Sequence, residues 1–258
     1  MRIILGRHGQ SEGNISEPFY AKKGDPHIEL TREGWEQVIG SGRFLDGYLR
    51  EHKIDPPKRI WVSPFMRTRQ TLRGMIEGFS RAGYYIRAAH TDIREHFLLA
   101  EQTFGILPYM KYSKGIARRT FSKLFSDFSA AAYKHNPFMS VTPLGESPMD
   151  LFKRIDGFVG RLLEEEKEQG IDNVLIVAHG ATIKAFMIRL FDLPMDAWKK
   201  LDTPGNGDLY MLDDESGSWR VTRIYDGEKG VPVNENPIKD LSSKVDLKDL
   251  PALPPRYR

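Results

Sequence analysis

The chain has 258 residues, of which 40% are hydrophobic and 28% charged, and its formal net charge is +3 at pH 7. A chain of this length buries enough surface for one large core or two small ones. The absence of cysteine excludes disulfides, thiolate chemistry and cysteine-based zinc sites. No concentrated basic stripe indicates nucleic acid, and no apolar run approaches the ~18 residues of a membrane span. The first residues form a predicted strand rather than a signal peptide, so we expect a cytoplasmic protein without nucleic-acid or membrane partners.

Short β-branched and aromatic runs alternate along the chain with longer segments of helical periodicity. The strand-like runs are 2–6, 59–63, 84–90, 173–179, 209–213 and 219–225. The helical segments are 31–52, 65–82, 147–169, 181–192 and 195–201. Thr31 is the expected N-cap of the first helix.

This alternation predicts an α/β fold, a three-layer α-β-α sandwich with a mostly parallel central sheet. The most apolar strands, 2–6 and 173–177, suit the centre of the sheet, and the last two strands are expected to form an antiparallel hairpin at one edge. We assign one domain to 1–227, with a helical insertion at about 106–143, and an extended or disordered tail to 228–258. The apolar side of the insertion is predicted to pack on the core or to form the underside of a lid, and contact with an apolar part of the substrate is the alternative. It comprises Phe121, Leu124, Phe125 and Phe128.

Two predicted strands end in nearly the same way, with "GRHG" at 6–9 and "VAHG" at 177–180. The segment after strand 59–63 places Arg67 and Arg69 near the start of the next helix. Ligands of open α/β sheets bind beyond the carboxyl ends of the central strands. If these strands are neighbours, both histidines and at least two arginines converge on one pocket.

Such a pocket suits a phosphate group. Guanidinium groups bind its oxygens in pairs, and helix N-termini add backbone donors. A neutral histidine can accept the phosphoryl group while arginines neutralise the equatorial oxygens. A carboxylic acid with a pKa raised by burial can protonate the leaving alkoxide. Because the arginines supply the electrostatic stabilisation, we expect neither a metal nor another cofactor.

Four segments carry a recognisable pattern in a fixed order: "GRHGQSEGN", "SPFMRTRQT", "TPLGESPMDLFKRI" and "VAHG". The first is similar to an R-H-G-x-[S/T]-x-x-N opening and the second to an S-P-x-x-R-[A/T]-x-Q-T element. The third resembles a G-E-S helix opening and the fourth a second histidine motif. Together they resemble the histidine phosphatase superfamily, also called phosphoglycerate mutase-like, over residues 2 to about 212.

The resemblance implies a role for each matching residue. His8 would be the phosphoryl acceptor, and the phosphate would be held by Arg7, Arg67 and His179. Asn14 and Gly180 would contribute to the substrate site. From the residues alone, Arg69 competes with Arg67, and Glu146 is either a site residue or a carboxylate favoured at a helix start.

The general acid has two candidates. The family places it in an L-x-E-x-x-x-G element, and "LAEQTFG" has that spacing with Glu101 and Gly105. Glu95 in "IREHF" is the rival. We assign the acid to Glu101.

The leading hypothesis is a metal-independent phosphatase that hydrolyses a small phosphomonoester through phosphohistidine. The alternatives are a phosphoglycerate mutase and a phosphate-binding module without turnover. Mutases of the family typically continue their acid as E-R-x-Y-G-x-L-x-G-x-N-K, whereas this chain has "EQTFGILPYMK". Lys22 and Lys23 are either contacts for a second anionic group or a solvated pair, and Asn206 is a further candidate for the site wall. The resemblance does not identify the substrate or the oligomeric state.

Overall fold

The computed structural model describes residues 1–81, 91–111, 116–215, 217–239 and 241. Its strands are β1 (Arg2–Arg7), β2 (Arg59–Val62), β3 (Asp92–Glu95), β4 (Asn173–Ala178), β5 (Leu209–Glu215), β6 (Ser218–Asp226) and β7 (Val231–Glu235). Its helices are α1 (Glu12–Ile15), α2 (Pro18–Lys23), α3 (Arg32–Glu51), α4 (Met66–Arg81), α5 (Leu107–Lys111), α6 (Ile116–His135), α7 (Pro148–Glu168), α8 (Gly180–Leu190) and α9 (Ala197–Lys200).

The strands form one sheet in the order β3-β2-β4-β1-β5-β6-β7. Three neighbouring pairs are parallel: β3/β2, β2/β4 and β4/β1. The other three are antiparallel: β1/β5, β5/β6 and β6/β7. The predicted central position of β1 and β4 is therefore confirmed. Their side chains alternate between the two faces of the sheet, since Ile3 and Leu5 join one apolar core and Ile4 joins the other.

Helices cover both faces and complete the predicted three layers. Buried residues of α3 and α4 pack on one face of the sheet, and buried residues of α7 and α8 pack on the other. The helix starts follow the local sequence: Thr31 Oγ1 accepts a hydrogen bond from Gly34 N at 3.0 Å at the start of α3, as predicted. At the start of α7, Ser147 and Asp150 form a capping box in front of Pro148.

Three expectations need correction or comment. The predicted strand 84–90 lies outside the described residues, and the described third strand is β3 at the sheet edge. The predicted antiparallel hairpin of β5 and β6 forms, but it does not lie at the edge of the sheet. Strand β5 pairs with β1, and β7 continues the sheet beyond β6. The sheet thus extends to Glu235, past the expected boundary at 227, and residues 242–258 of the predicted tail lie outside the described part.

The insertion is helical, as predicted, but its apolar side faces outward. Phe121, Leu124 and Phe128 of α6 are 56%, 62% and 70% exposed. The opposite side of α6 carries Ser122 and Ser126, and these residues line the cleft described below. The expectation that the apolar side packs on the core or under the lid is therefore wrong. Helical periodicity identifies an apolar side, but which neighbour covers it is decided by tertiary structure.

Candidate active site

The carboxyl ends of the central strands bring the two histidines together. The β1/β4 register pairs Arg7 with Ala178, so the next residues, His8 and His179, also lie side by side. Their ring centroids are 5.2 Å apart at an interplanar angle of 64°. Both side chains are buried, at 3% and 0% exposure.

Glycines allow the turn after β1 to pack tightly on helix α3. A Cβ atom at Gly9 would lie 2.5 Å from Gly34 O, and one at Gly34 would lie 1.9 Å from Gln10 O. Both distances are far below van der Waals contact, and the atoms that would be struck are backbone atoms. This close approach of loop and helix fixes the backbone on which His8 is mounted.

A backbone carbonyl fixes the tautomer of the His8 imidazole. Its Nδ1 lies 2.8 Å from Gly9 O. Because a carbonyl oxygen only accepts hydrogen bonds, Nδ1 carries the proton and Nε2 keeps its lone pair. Burial, reinforced by the charges of Arg67 and Arg7, holds the pKa of His8 well below its usual value. The ring is therefore neutral at physiological pH.

His179 is held by the serine that follows β2. Ser63 Oγ lies 2.8 Å from His179 Nε2 and accepts a hydrogen bond from Phe65 N at 3.5 Å. His179 Nδ1 is buried without a protein partner. A hydroxyl group can donate to a ring nitrogen, so the Ser63 contact is compatible with a ring proton on Nδ1, where it could be donated to an anion. Burial and the charge of Arg67 also lower the pKa of His179 well below its usual value.

Arg67, which is buried, and Arg7, which is half-buried, flank the histidines. Arg7 Nη1 donates to the Pro204 carbonyl, and Arg67 Nη1 donates to Asp25 O at 2.8 Å and to Asp25 Oδ1 at 2.7 Å. The Arg67 guanidinium also lies 4.9 Å from the centroid of the Phe65 ring. The Nε atoms of both arginines are buried without a protein acceptor. Such donors are suited to the oxygens of an anionic ligand.

Glu101 faces the same cleft as His8. Its carboxylate accepts hydrogen bonds from Gln102 N at 2.9 Å and from Ala181 N at 3.4 Å. Removal from water raises the pKa of Glu101, an effect that outweighs these hydrogen bonds and the nearby arginine charges. Arg154 supports the backbone of this segment, because its Nη2 donates to Glu101 O at 3.1 Å. A carboxyl group with a raised pKa in a cleft is chemically suited to proton transfer.

The rival residues lie elsewhere. Arg69 Nε donates to Glu95 Oε2 at 2.6 Å, and the two side chains form an ion pair that is 51% and 40% exposed. Neither residue lines the cleft. Glu146 receives two hydrogen bonds from Arg154, at 2.8 and 3.1 Å, and so supports the Glu101 segment without facing the cleft.

The remaining predicted residues take different places. Asn14 lines the cleft, while its Oδ1 caps helix α1 by accepting from Ser11 N at 2.9 Å. Gly180 is not on the wall; a Cβ there would lie 3.0 Å from Thr203 Cγ2 and in ordinary contact, 3.5 Å, with Arg7 Nε. Asn206 is buried and does not line the cleft. Lys23 is held by Glu12 and Glu29 in ion pairs of 2.7 and 2.9 Å, also away from the cleft.

The cleft has a volume of about 680 Å³. Arg7, His8, Arg67 and Glu101 line it together with Thr103, Phe104 and Gly105. The insertion forms much of the rest through Leu107, Pro108, Tyr109, Ser122, Lys123, Ser126 and Asp127. Sequence reasoning missed Tyr20 and Asp25, which also line it, because no motif marks them. Among the described residues, no group of three or more His, Asp or Glu side chains is arranged to hold a metal ion.

A profile of the family described as "Histidine phosphatase superfamily (branch 1)" matches residues 3–227. The chain belongs to this superfamily. The match includes every residue assigned above to the site, and it ends just before strand β7.

None of the described helices is long and apolar enough to cross a membrane.

Relatives within the superfamily carry different names. Phosphoglycerate mutase-like protein AT74 of Arabidopsis thaliana is 30% identical over 224 residues, which cover 82% of this chain and 64% of the plant protein. A 2,3-bisphosphoglycerate-dependent phosphoglycerate mutase of Rhizobium etli is 27% identical, with 71% and 77% covered. The chain thus spans less than two thirds of the length of AT74.

Solved structures of the superfamily share the fold. A putative alpha-ribazole-5'-P phosphatase from Escherichia coli superposes with a TM-score of 0.64 at 19% identity, covering 86% of this chain and 95% of that one. A mycobacterial glucosyl-3-phosphoglycerate phosphatase in complex with inorganic phosphate gives 0.61 at 22% identity, covering 88% and 98%. At these identities the similarity establishes the architecture alone.

Proposed function

We propose that the protein is a phosphatase that hydrolyses a small phosphomonoester through a phosphohistidine on His8. The observation that carries the proposal is the grouping of the neutral His8 imidazole with two arginines, whose buried Nε atoms lack a protein acceptor, and a carboxyl group of raised pKa. The enzyme would act in the cytoplasm and would use no metal.

In the first step His8 Nε2 attacks the phosphorus atom in line with the ester oxygen. The Nε2–P bond forms as the P–O bond to the leaving group breaks. Arg7, Arg67 and the Nδ1 proton of His179 stabilise charge on the non-bridging oxygens. Glu101 gives its proton to the departing oxygen, so an alcohol leaves and Glu101 becomes a carboxylate.

In the second step a water molecule attacks the phosphohistidine. The Glu101 carboxylate removes a proton from the water as the new P–O bond forms and the Nε2–P bond breaks. His8 returns to its neutral form, Glu101 is again protonated, and inorganic phosphate is released. The same carboxyl group therefore serves as acid and then as base.

A mutase, which returns the phosphoryl group to another hydroxyl of its substrate, is the second candidate. The mutase names among the relatives favour it. The residue after the acid weighs against it, because this chain has Gln102 where the mutase pattern has arginine. Gln102 is 8% exposed, and its Nε2 donates to Glu146 O at 2.9 Å. This side chain therefore bonds to the protein backbone rather than facing a substrate. We therefore place hydrolysis first.

Turnover of p-nitrophenyl phosphate tests the proposal. We expect nitrophenol release by the wild type, inhibition by vanadate, which mimics the five-coordinate transition state, and loss of release in His8→Ala. His52→Ala is the matched control, because His52 is exposed at the end of α3 and should leave the rate unchanged. Phosphate binding without release would favour a binding module, and conversion of a phosphoglycerate to its isomer without phosphate release would favour a mutase.

A further inference from the structure

The loop at 203–207, before β5, wraps the end of β1. Its Pro204 carbonyl accepts a hydrogen bond from the Arg7 side chain. Gly207 N donates to His8 O at 3.1 Å, and Arg7 N donates to Asp208 O at 3.1 Å. The segment therefore contacts the backbone of both residues and also fixes the direction of the Arg7 guanidinium.

A buried carboxylate helps to hold this loop in shape, beside hydrogen bonds from Ser41 Oγ to Gly207 O at 2.8 Å and from Asn206 N to Glu228 Oε1 at 3.1 Å. Asp208 is 1% exposed. Its Oδ2 accepts from Gly205 N at 2.8 Å and its Oδ1 from Gly227 N at 3.0 Å. The first bond closes the turn that presents Pro204, and the second ties the turn to the chain after β6. Tyr210 OH adds a further hydrogen bond to Oδ2 at 3.2 Å.

An arginine from β6 neutralises that carboxylate. Arg223 Nη2 donates to Asp208 Oδ1 at 3.1 Å, and Arg223 Nε lies 2.9 Å from Asp208 Oδ2. Arg223 also forms ion pairs of 3.0 Å with Asp226 and with Glu235 of β7. A buried carboxylate needs such a partner, because an unpaired charge away from water is strongly destabilising.

We propose that Asp208 and Arg223 are positioning residues that act on catalysis through Arg7. The inference rests on the proposed role of Arg7 in binding phosphate. The structural path is short: Arg223 neutralises Asp208, Asp208 closes the turn, and the turn holds the Arg7 side chain by the Pro204 carbonyl. Strand β7 lies beyond the family match and contributes to the path through Glu235.

Replacement of Asp208 by asparagine changes one oxygen into an NH2 group of nearly the same size. An amide nitrogen cannot accept from Gly205 N or Gly227 N, so one of the two loop bonds is lost. The turn then relaxes and Arg7 loses its fixed direction. Displacement of a positioning group by about 1 Å costs on the order of 100-fold in rate, so we expect kcat/KM for p-nitrophenyl phosphate to fall about 10- to 100-fold, mainly in kcat.

A double-mutant cycle tests the path. In the wild-type background Asp208→Asn should show this full loss, whereas in an Arg7→Ala background it should change kcat/KM less than about threefold. Arg223→Lys keeps the charge but loses the paired contact of Nη2 and Nε with the Asp208 carboxylate. Its loss of kcat/KM should therefore be smaller than that of Arg223→Gln. Glu166→Gln is the control, because Glu166 is equally buried and is paired with Arg59 at 2.9 Å. It should lower the melting temperature and leave kcat/KM within about twofold.

Equal losses from Asp208→Asn in both backgrounds would overturn the inference, since a general structural defect does not depend on Arg7. Thermal unfolding shows whether each variant is folded, and the two Arg223 variants give a second route to the same answer. A wild type without turnover would instead refute the proposed function. In that case the same cycle is measured by calorimetry as the affinity for inorganic phosphate. A loss of affinity from Asp208→Asn that is smaller in the Arg7→Ala background would support the positioning role, and equal losses in both backgrounds would contradict it.

Discussion

Glu101→Gln should remove the proton donor while leaving the shape of the cleft almost unchanged. A positioned general acid contributes about 10²- to 10⁴-fold to a rate, which corresponds to about 3–5 kcal/mol of transition-state stabilisation. The loss should reach this size for an alkyl phosphate, because its alkoxide needs a proton to leave. It should be much smaller for p-nitrophenyl phosphate, because nitrophenolate is a stable leaving group.

Glu95→Gln is the matched control for this change. Glu95 pairs with Arg69 in an ion pair that is 40% and 51% exposed, and such a pair contributes only about 0–1 kcal/mol to stability. It lies off the cleft wall. We therefore expect Glu95→Gln to hydrolyse both esters at the wild-type rate within about twofold.

The assay compares steady-state phosphate release from the two esters by wild type and both variants. The expected pattern is a leaving-group-dependent loss in Glu101→Gln alone. A large loss in Glu95→Gln, with Glu101→Gln still active on the alkyl ester, would refute the assignment of the acid and the reasoning from burial behind it.

Three further outcomes follow from the geometry. For an alkyl ester, kcat/KM should fall as pH rises through the raised pKa of Glu101, because the acid loses its proton. The acid limb, where His8 becomes protonated, should lie well below the usual titration range of a histidine, because the pKa of His8 is lowered. Asp25→Asn should weaken vanadate binding about three- to tenfold in an inhibition assay, because it removes the charged partner that orients Arg67. Gly34→Ala should lower the free energy of unfolding by about 1–3 kcal/mol in urea titration because of its backbone clash; Gly47→Ala in the same helix meets no atom within 4 Å and should raise it by about 1 kcal/mol.

The centre of the fold and the grouping of the histidines could be predicted because their signals are local. The runs before His8 and His179 are apolar and β-branched, which is typical of buried parallel strands. Once these strands are neighbours, the parallel register alone brings the following residues together. The starts of helices α3 and α7 agree with the structure for a similar reason, since the capping residues Thr31 and Ser147 mark them.

The edges of the sheet could not be predicted in the same way. Strand β3 has the sequence Asp-Ile-Arg-Glu and is mostly exposed, so it lacks the apolar signal of a strand. Strand β7 contains Pro232 and lies in a stretch that resembles a tail in composition. Its place is set by pairing with β6 at Tyr225 and Asp226, which is a tertiary contact.

The partners of the site residues were also beyond sequence reasoning. Asp25 orients Arg67 across 42 positions, and Pro204 receives the Arg7 side chain across 197. Neither partner belongs to a motif quoted from the sequence. Their effect depends on distances that arise only when the loops close over the ends of the strands. The cleft wall supplied by the insertion also depends on tertiary contacts. Helix α6 turns its polar side to the cleft and its apolar side outward, the reverse of the expected orientation.

The central claim is a transient bond between phosphorus and His8 Nε2, and rapid-quench trapping tests it most directly. The protein is mixed with a ³²P-labelled phosphomonoester, quenched in alkali within milliseconds, and digested for peptide mapping. We predict label on the peptide that contains His8, stable in alkali and lost in acid, and no label in His8→Ala. Label on another residue, or full hydrolytic activity in His8→Ala, would contradict the account.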